Sequence, residues 1–352
     1  MGYICDLVLN FLHNYLPLNT ILCIRAIFGH YYSYTSNKLY LTTLKIYCCV
    51  LSFIIPLILH YFGNMKFGAL WILLFEYFIS IWITLIVEND CFIKYLASIK
   101  LADRTLELPS NLESFRLYVI FFVMALMRTC ISLIALEHIF TSPLVYLMYT
   151  FIYISMDFSQ HIRISIFDIL YERMLKLRNY FEGIFIRPPG DYTNMTTDLK
   201  RGLLAYKQLV DSVKLLDKLQ ATYLVVLVVR FLNCILRLHE IILLQSDSER
   251  IHWRVYVYDT ISAGVLVSAP AVLIELIHME VDHISLILRI QYSKCNDLNL
   301  RAAISNGIRF LKLRPFKFYI WRVIPVDSSL PIKFIALLFT YSLIILQVNK
   351  IL

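Results

Sequence analysis

Gln347 stands inside a run that otherwise reads like hydrocarbon. From Lys333 to Leu352 the chain is KFIALLFTYSLIILQVNKIL, helix-length and apolar, interrupted by Thr340-Tyr341 and, after five further residues, by this amide. Lipid offers an amide neither donor nor acceptor, so it needs a partner or water. It either bonds a neighbouring helix or faces a wet path. On a helix, Ile344, Gln347, Val348 and Ile351 recur at three- and four-residue spacing and share one stripe.

A second set of residues could hold a small amphipathic molecule. Tyr146, Tyr149 and Tyr153 also fall on one helical face. Polar groups at comparable membrane depth are Glu76, Glu137, His138, Arg237, His239, Glu240, Trp253, Tyr256 and Asp259. Aromatic faces with a few convergent polar groups suit such a ligand, and the expected ligand-binding residues are Glu76, Glu137, Tyr149, Tyr153, Arg237, Tyr256 and Asp259. The competing reading is an interfacial aromatic belt, with Arg237 and Glu240 pairing at three-residue spacing. Arg128 and Arg230 lie nearer mid-membrane, where an unpaired cation is costly; they are counter-ions or line a wet cavity.

Enzymatic chemistry has no foothold here. The chain lacks the phosphate-binding, dinucleotide-binding, nucleophile-elbow and HExxH patterns. His278, Asp282 and His283 cluster at the end of an apolar segment and read as the polar boundary of a span. No enzyme, no cofactor and no metal site is expected.

These residues must be positioned by elements that live in lipid. Of the 352 residues 59% are hydrophobic, only 16% are charged, and mean hydropathy is +0.67; a soluble domain cannot hide so much apolar surface. A net charge of +8 without a dense basic tract gives no case for nucleic acid. The eight cysteines form no CxxC pair and read as reduced, packed thiols. The start lacks a basic n-region and a cleavage site, so it does not read as a signal peptide.

About 20 apolar residues cross a bilayer as a helix. Seven segments approach that length: Leu41–Phe62, Phe67–Val87, Leu117–Leu136, Leu144–His161, Tyr223–Leu244, Val255–Met279 and Ile332–Leu352. The expected fold is therefore all-α, a single seven-span domain over 1–352. Residues 1–40 form membrane-face helices and 41–161 carry spans one to four. Residues 162–222 are cytoplasmic anchor helices, 223–279 carry spans five and six, 280–331 are anchor again, and 332–352 form the last helix. Leu199, Leu203, Leu204, Leu209, Val210, Val213, Leu216 and Leu219 form an amphipathic stripe in the first anchor segment; its helix is expected to run on into the fifth span. Of the 33 Lys and Arg, 24 fall in 1–40, 88–116, 162–222 and 280–331, against four on the opposite side. That asymmetry puts the N-terminus in the cytoplasm and the C-terminus outside, the reverse of a G-protein-coupled receptor.

Thr340-Tyr341, the five residues Ser342-Leu343-Ile344-Ile345-Leu346, Gln347 and Val348 resemble the Thr-Tyr, five hydrophobics, Gln-Phe signature of insect gustatory receptors. Phe310-Leu311-Lys312-Leu313, Phe316-Lys317-Phe318 and Val326-Asp327-Ser328-Ser329-Leu330 resemble the stretch that leads into it. Pro17-Leu18 and Arg25-Ala26-Ile27-Phe28-Gly29 resemble the family's N-terminal pattern. The chain departs from the family at Val348 in place of Phe and at Arg322 in place of Gly. It carries Ser342 where the sugar-receptor branch commonly has Glu, which points to a non-sugar, bitter-type tastant.

The resemblance implies a homo- or hetero-tetrameric, ligand-gated cation channel of the plasma membrane, expected in the dendrites of sensory neurons. The last helix of each subunit lines the pore. It implies that Ile344 and Val348 narrow the pore and that Gln347 contacts permeating cations, with Ile351 on the same stripe. Its partners are a small tastant, lipid and permeating cations. The alternatives are an odorant receptor subunit of the same construction and a secondary transporter; the internal repeats of the latter are not visible.

Overall fold

The computed structural model describes residues 24–31, 38–62, 68–86, 90–107, 122–123, 126–127, 129–130, 143–186, 192–216, 225, 227–236, 239, 250–320, 324–325 and 329–348. The elements are α1 (Lys38–Phe62), α2 (Gly68–Ile86), α3 (Asp90–Thr105), α4 (Pro143–Ile186), α5 (Tyr192–Lys214), the helical piece α6 (Leu227–Leu236), α7 (Arg250–Lys294), α8 (Leu298–Leu313) and α9 (Ser329–Val348). A two-residue antiparallel ladder, β1 (Tyr319–Ile320) with β2 (Ile324–Pro325), pairs Tyr319 with Pro325 and Ile320 with Ile324. It is the one departure from the all-helical expectation among the described residues.

Among those residues, Lys38–Tyr61 and Gly264–Lys294 are long and apolar enough to cross a membrane. Trp71–Ile86, Leu227–Leu236 and Ser329–Ile344 are shorter apolar helices. Several hydroxyls in the first apolar helix bond their own backbone. Thr42 and Thr43 donate to the carbonyls of Lys38 and Leu39 at 2.9 and 3.0 Å, and the buried Ser52 donates to Cys49 O at 2.7 Å. Four residues on, Pro56 withdraws the N–H that would otherwise bond Ser52 O.

Two hydrophobic cores are strung along one helix. Its 44 residues make α4 about 66 Å long at 1.5 Å per residue, roughly twice the hydrocarbon thickness. Its first half packs with α1, α2, Ala26 and Tyr31 through Val145, Ile152, Tyr153 and Met156. Its second half enters a larger core with α3, α5, α7, α8 and Phe318 through Ile166, Leu170, Leu177 and Phe181. The 45-residue α7 likewise outruns a bilayer and contributes Ala271, Ile274, Ile284 and Leu288 to the larger core.

That core is polar where its helices must keep register. Asp103 of α3 takes a forked hydrogen bond from Arg173 Nε of α4, at 3.0 and 3.2 Å, both groups almost fully buried. Tyr95 donates to Ile166 O at 2.7 Å, and burial pushes its phenol up. Tyr206 of α5 donates to Arg314 O at 2.8 Å, its pKa pushed up to about 12 by burial. Both phenols therefore stay protonated donors at neutral pH. Arg178 of α4 reaches Glu280 of α7 at 2.9 Å, and Asp297 caps α8 by accepting from Leu300 N at 2.7 Å. Gly202 lets α5 approach α4: a Cβ there would lie 2.8 Å from the buried ring of Phe181.

The amphipathic stripe is largely as read. Leu199, Leu209, Val213 and Leu216 are buried, while Leu204 is 47% exposed. The helix does not run on into the fifth span. It ends at Lys214, and the chain turns at Leu215 and Leu216, whose N–H groups bond Ser212 O and Val213 O.

Candidate functional site

A charged cluster sits where α2, α4 and α6 meet. Arg230 of α6 pairs through Nε with Glu76 of α2, and its NH2 lies 3.9 Å from Asp157 of α4. All three side chains are no more than 7% exposed. An unpaired cation at that depth would cost several kcal/mol (order of magnitude), so the counter-ion reading of Arg230 holds, with Glu76 as principal partner. Tyr149, Tyr153 and Asp157 are spaced by four along α4 and so follow one face. Tyr149 donates its hydroxyl to that of Tyr153 at 3.0 Å, with ring centroids 4.6 Å apart. Tyr153 is buried in the smaller core; Tyr149 packs against it partly exposed. The stripe thus leads from a half-open aromatic pair down to a buried carboxylate and its guanidinium.

Residues 24–31 close the other side of this helix. Gly29, at φ 87°, takes the left-handed conformation that reverses the chain. His30 Nε2 then lies 2.7 Å from Ser155 O and 3.0 Å from Ser155 Oγ, and Ser155 donates to Phe28 O at 3.0 Å. Phe28 stacks obliquely between Phe151 and Phe158, at 4.8 and 5.1 Å. Tyr31 N–H donates to Thr84 Oγ1 at 3.2 Å, so this segment ties α4 to α2. Sequence reasoning singled out neither His30 nor Ser155; the signal was a histidine just after a glycine turn.

Of the expected ligand residues, the structure brings Glu76, Tyr149 and Tyr153 to one helix group. Glu137 and Arg237 lie outside the described residues. Tyr256 and Asp259 belong to α7, with side chains outside the description. His278 faces Phe316 edge-on at 5.3 Å, and no group of three metal-ligating side chains occurs among the described residues.

The last helix is held very differently. α9 touches α6 through Phe231, which meets Phe334 and Tyr341 edge-on at 5.5 and 5.8 Å. Most of its apolar surface is uncovered by its own chain: Ile332, Ile335, Phe339 and Ile344 are 69, 65, 66 and 45% exposed. Thr340 and Ser342 donate to the carbonyls one turn back, at 2.9 and 2.7 Å. Gln347 is exposed and has no hydrogen-bond partner among the described residues. At 100° per residue it lies about 140° round the helix from Phe334. Val348 ends the helix with its side chain outside the description, and Ile351 lies beyond the described residues.

No protein-family model matches the chain, and no curated protein is similar to it in sequence. Its fold is similar to that of the insect olfactory receptor OR5 from Machilis hrabei, solved in complex with eugenol. The TM-score is 0.61 over 94% of this chain and 97% of that one, at 14% identity. The chain therefore shares the fold of that receptor.

Proposed function

We propose that this chain is a gustatory-type receptor subunit, a ligand-gated, non-selective cation channel of the plasma membrane opened by a small tastant other than a sugar. The observation that carries the reading is α9. A helix apolar on nearly every side, yet left uncovered by its own chain, must be covered by lipid or by other copies. Its one amide points away from the aromatic contact that anchors it. Four copies around an axis would let Phe334 and Tyr341 hold each helix to its subunit while Thr340, Ile344 and Gln347 face the pore. The chemoreceptor fold supports this reading, and the Thr340–Gln347 signature favours the gustatory branch.

The reading needs seven spans with the N-terminus inside. A tag after Leu352 should label on intact cells, and one before Met1 only after permeabilisation. The opposite pattern would remove the topology on which the pore rests.

The ligand would enter from the outer side, where Tyr149 is still partly exposed, and stack on its ring, which the buried Tyr153 holds in place. Tyr149→Leu and Tyr153→Leu should each raise the half-maximal concentration up to about tenfold, the loss of about 0.5–1.5 kcal/mol of aromatic interaction, at unchanged surface expression. Identical dose–response curves would leave the pair as core packing.

A second reading, an odorant receptor subunit, is favoured by the olfactory receptor whose fold this chain resembles. Currents from the chain expressed alone would support the gustatory reading; currents only with a shared co-receptor would support the odorant one.

A further inference from the structure

Beyond Pro270, α7 borders a cavity of about 300 Å³ shared with the end of α8 and the segment that leads to β1. His278, Asp282 and Arg289 come from α7; Lys312, Phe316 and Lys317 come from the other wall. Three arginines in this half of the molecule find carboxylates, Arg173 with Asp103, Arg178 with Glu280 and Arg314 with Asp211. Arg289, Lys312 and Lys317 form no ion pair among the described residues, although Asp282 lines the same cavity. His278 Nε2 is buried there without a hydrogen-bond partner. Three cations against one carboxylate give the walls a net positive potential that favours an anion between them.

The geometry points to a binding site for a phosphate ester, a phosphorylated polyol presented as a lipid headgroup or as a free molecule. A phosphomonoester carries close to two negative charges and three strong acceptor oxygens, enough to meet Arg289, Lys312 and Lys317 with charge-assisted hydrogen bonds. The buried faces of Phe316 and Leu311 supply an apolar wall for the carbon skeleton. Inorganic phosphate would leave that wall unused. The topology proposed above matters only for the source: it places the cavity beside the inner leaflet, whose anionic lipids attract basic surfaces.

The test uses the purified full chain in nanodiscs of phosphatidylcholine, with or without phosphatidylinositol bisphosphate, and soluble inositol trisphosphate as a separate probe. Expected are saturable binding, a rise in the thermal midpoint of the wild type, and affinity reduced about tenfold or more in Arg289→Gln and in Lys312→Gln/Lys317→Gln. These cations are exposed, so the variants should elute as the wild type does. Arg309→Gln, an exposed cation on α8 outside the cavity, should bind normally. Stabilisation by the lipid but not by inositol trisphosphate assigns the site to a headgroup; stabilisation by inositol trisphosphate in phosphatidylcholine nanodiscs, at least as strong as by the lipid, assigns it to a soluble ester. Equal loss in Arg309→Gln, an equal effect of phosphatidylserine, or no binding of either probe would overturn the proposal. Binding does not depend on ion conduction, so that failure would leave the channel reading intact.

Discussion

Ile344→Ser should yield current in the absence of any tastant. In the proposed tetramer the closed pore is a ring of apolar side chains that excludes water, with Ile344 as the member whose exposure is seen directly. An isoleucine contributes about 1.5–3 kcal/mol when its surface leaves water. Losing it at a closed constriction shifts the closed-to-open ratio by roughly ten- to a hundredfold per subunit. Val348→Ser should act in the same direction, less strongly because the side chain is smaller. Gln347→Ala removes the amide beside that ring, so cation preference or single-channel conductance should change while ligand sensitivity is kept. Cysteines at Ile344 and Gln347 should react with a water-soluble thiol reagent and block the current, whereas one at Phe334, held against Phe231, should not. Equal reactivity at all three positions, or none at any, would make Gln347 an interhelical hydrogen bond and leave the channel without its pore residue.

Glu76→Ala should be among the most destabilising single substitutions in the chain. Among the described residues it would leave the buried Arg230 guanidinium with only Asp157, 3.9 Å away, to answer its charge. Breaking one side of a buried pair costs about 3–5 kcal/mol, whereas replacing both partners by apolar groups of similar volume is often nearly neutral. Arg230→Met alone should therefore be as damaging as Glu76→Ala, and Glu76→Leu/Arg230→Met should recover most of the loss. Thermal midpoints of the detergent-solubilised protein give the comparison, and ligand-evoked current from the double variant adds a second answer. A recovered fold with normal response assigns the pair to structure; a recovered fold without response assigns the charge to ligand binding or gating. Single variants as stable as the parent would show that Arg230 and Glu76 are not held together.

Among the described residues, two of the expected spans overlap helices long and apolar enough to cross a membrane and three overlap shorter apolar helices; that much was legible from composition and spacing, because a bilayer's demand is local. A segment must be long enough and apolar enough by itself, and every hydroxyl within reach of its own backbone can be satisfied one turn back, as Thr340 and Ser342 are. The same locality made the stripe from Leu199 to Leu216 readable. It failed where a neighbour intervened: Leu204 obeys the period yet stays exposed, and α5 stops at a turn that the apolar pattern runs straight through. Gln347 could be singled out from sequence, but that it has no hydrogen-bond partner among the described residues follows from how α9 packs, on Phe231 of α6 and along α7.

What the tertiary structure decided is which charges meet. Arg173 and Asp103 are 70 residues apart, and Arg230 had several acidic candidates at similar depth; no local rule chooses Glu76 over Glu137 or Glu240. Nor does periodicity show that α4 threads two separate cores, or that the turn at Gly29 sets His30 against Ser155. Hydrophobic pattern is enforced residue by residue by the solvent, so one chain suffices to read it. The partner of a buried charge is fixed by where helices distant in sequence come to lie, because the cost of desolvation is offset only at the few ångströms that packing alone establishes.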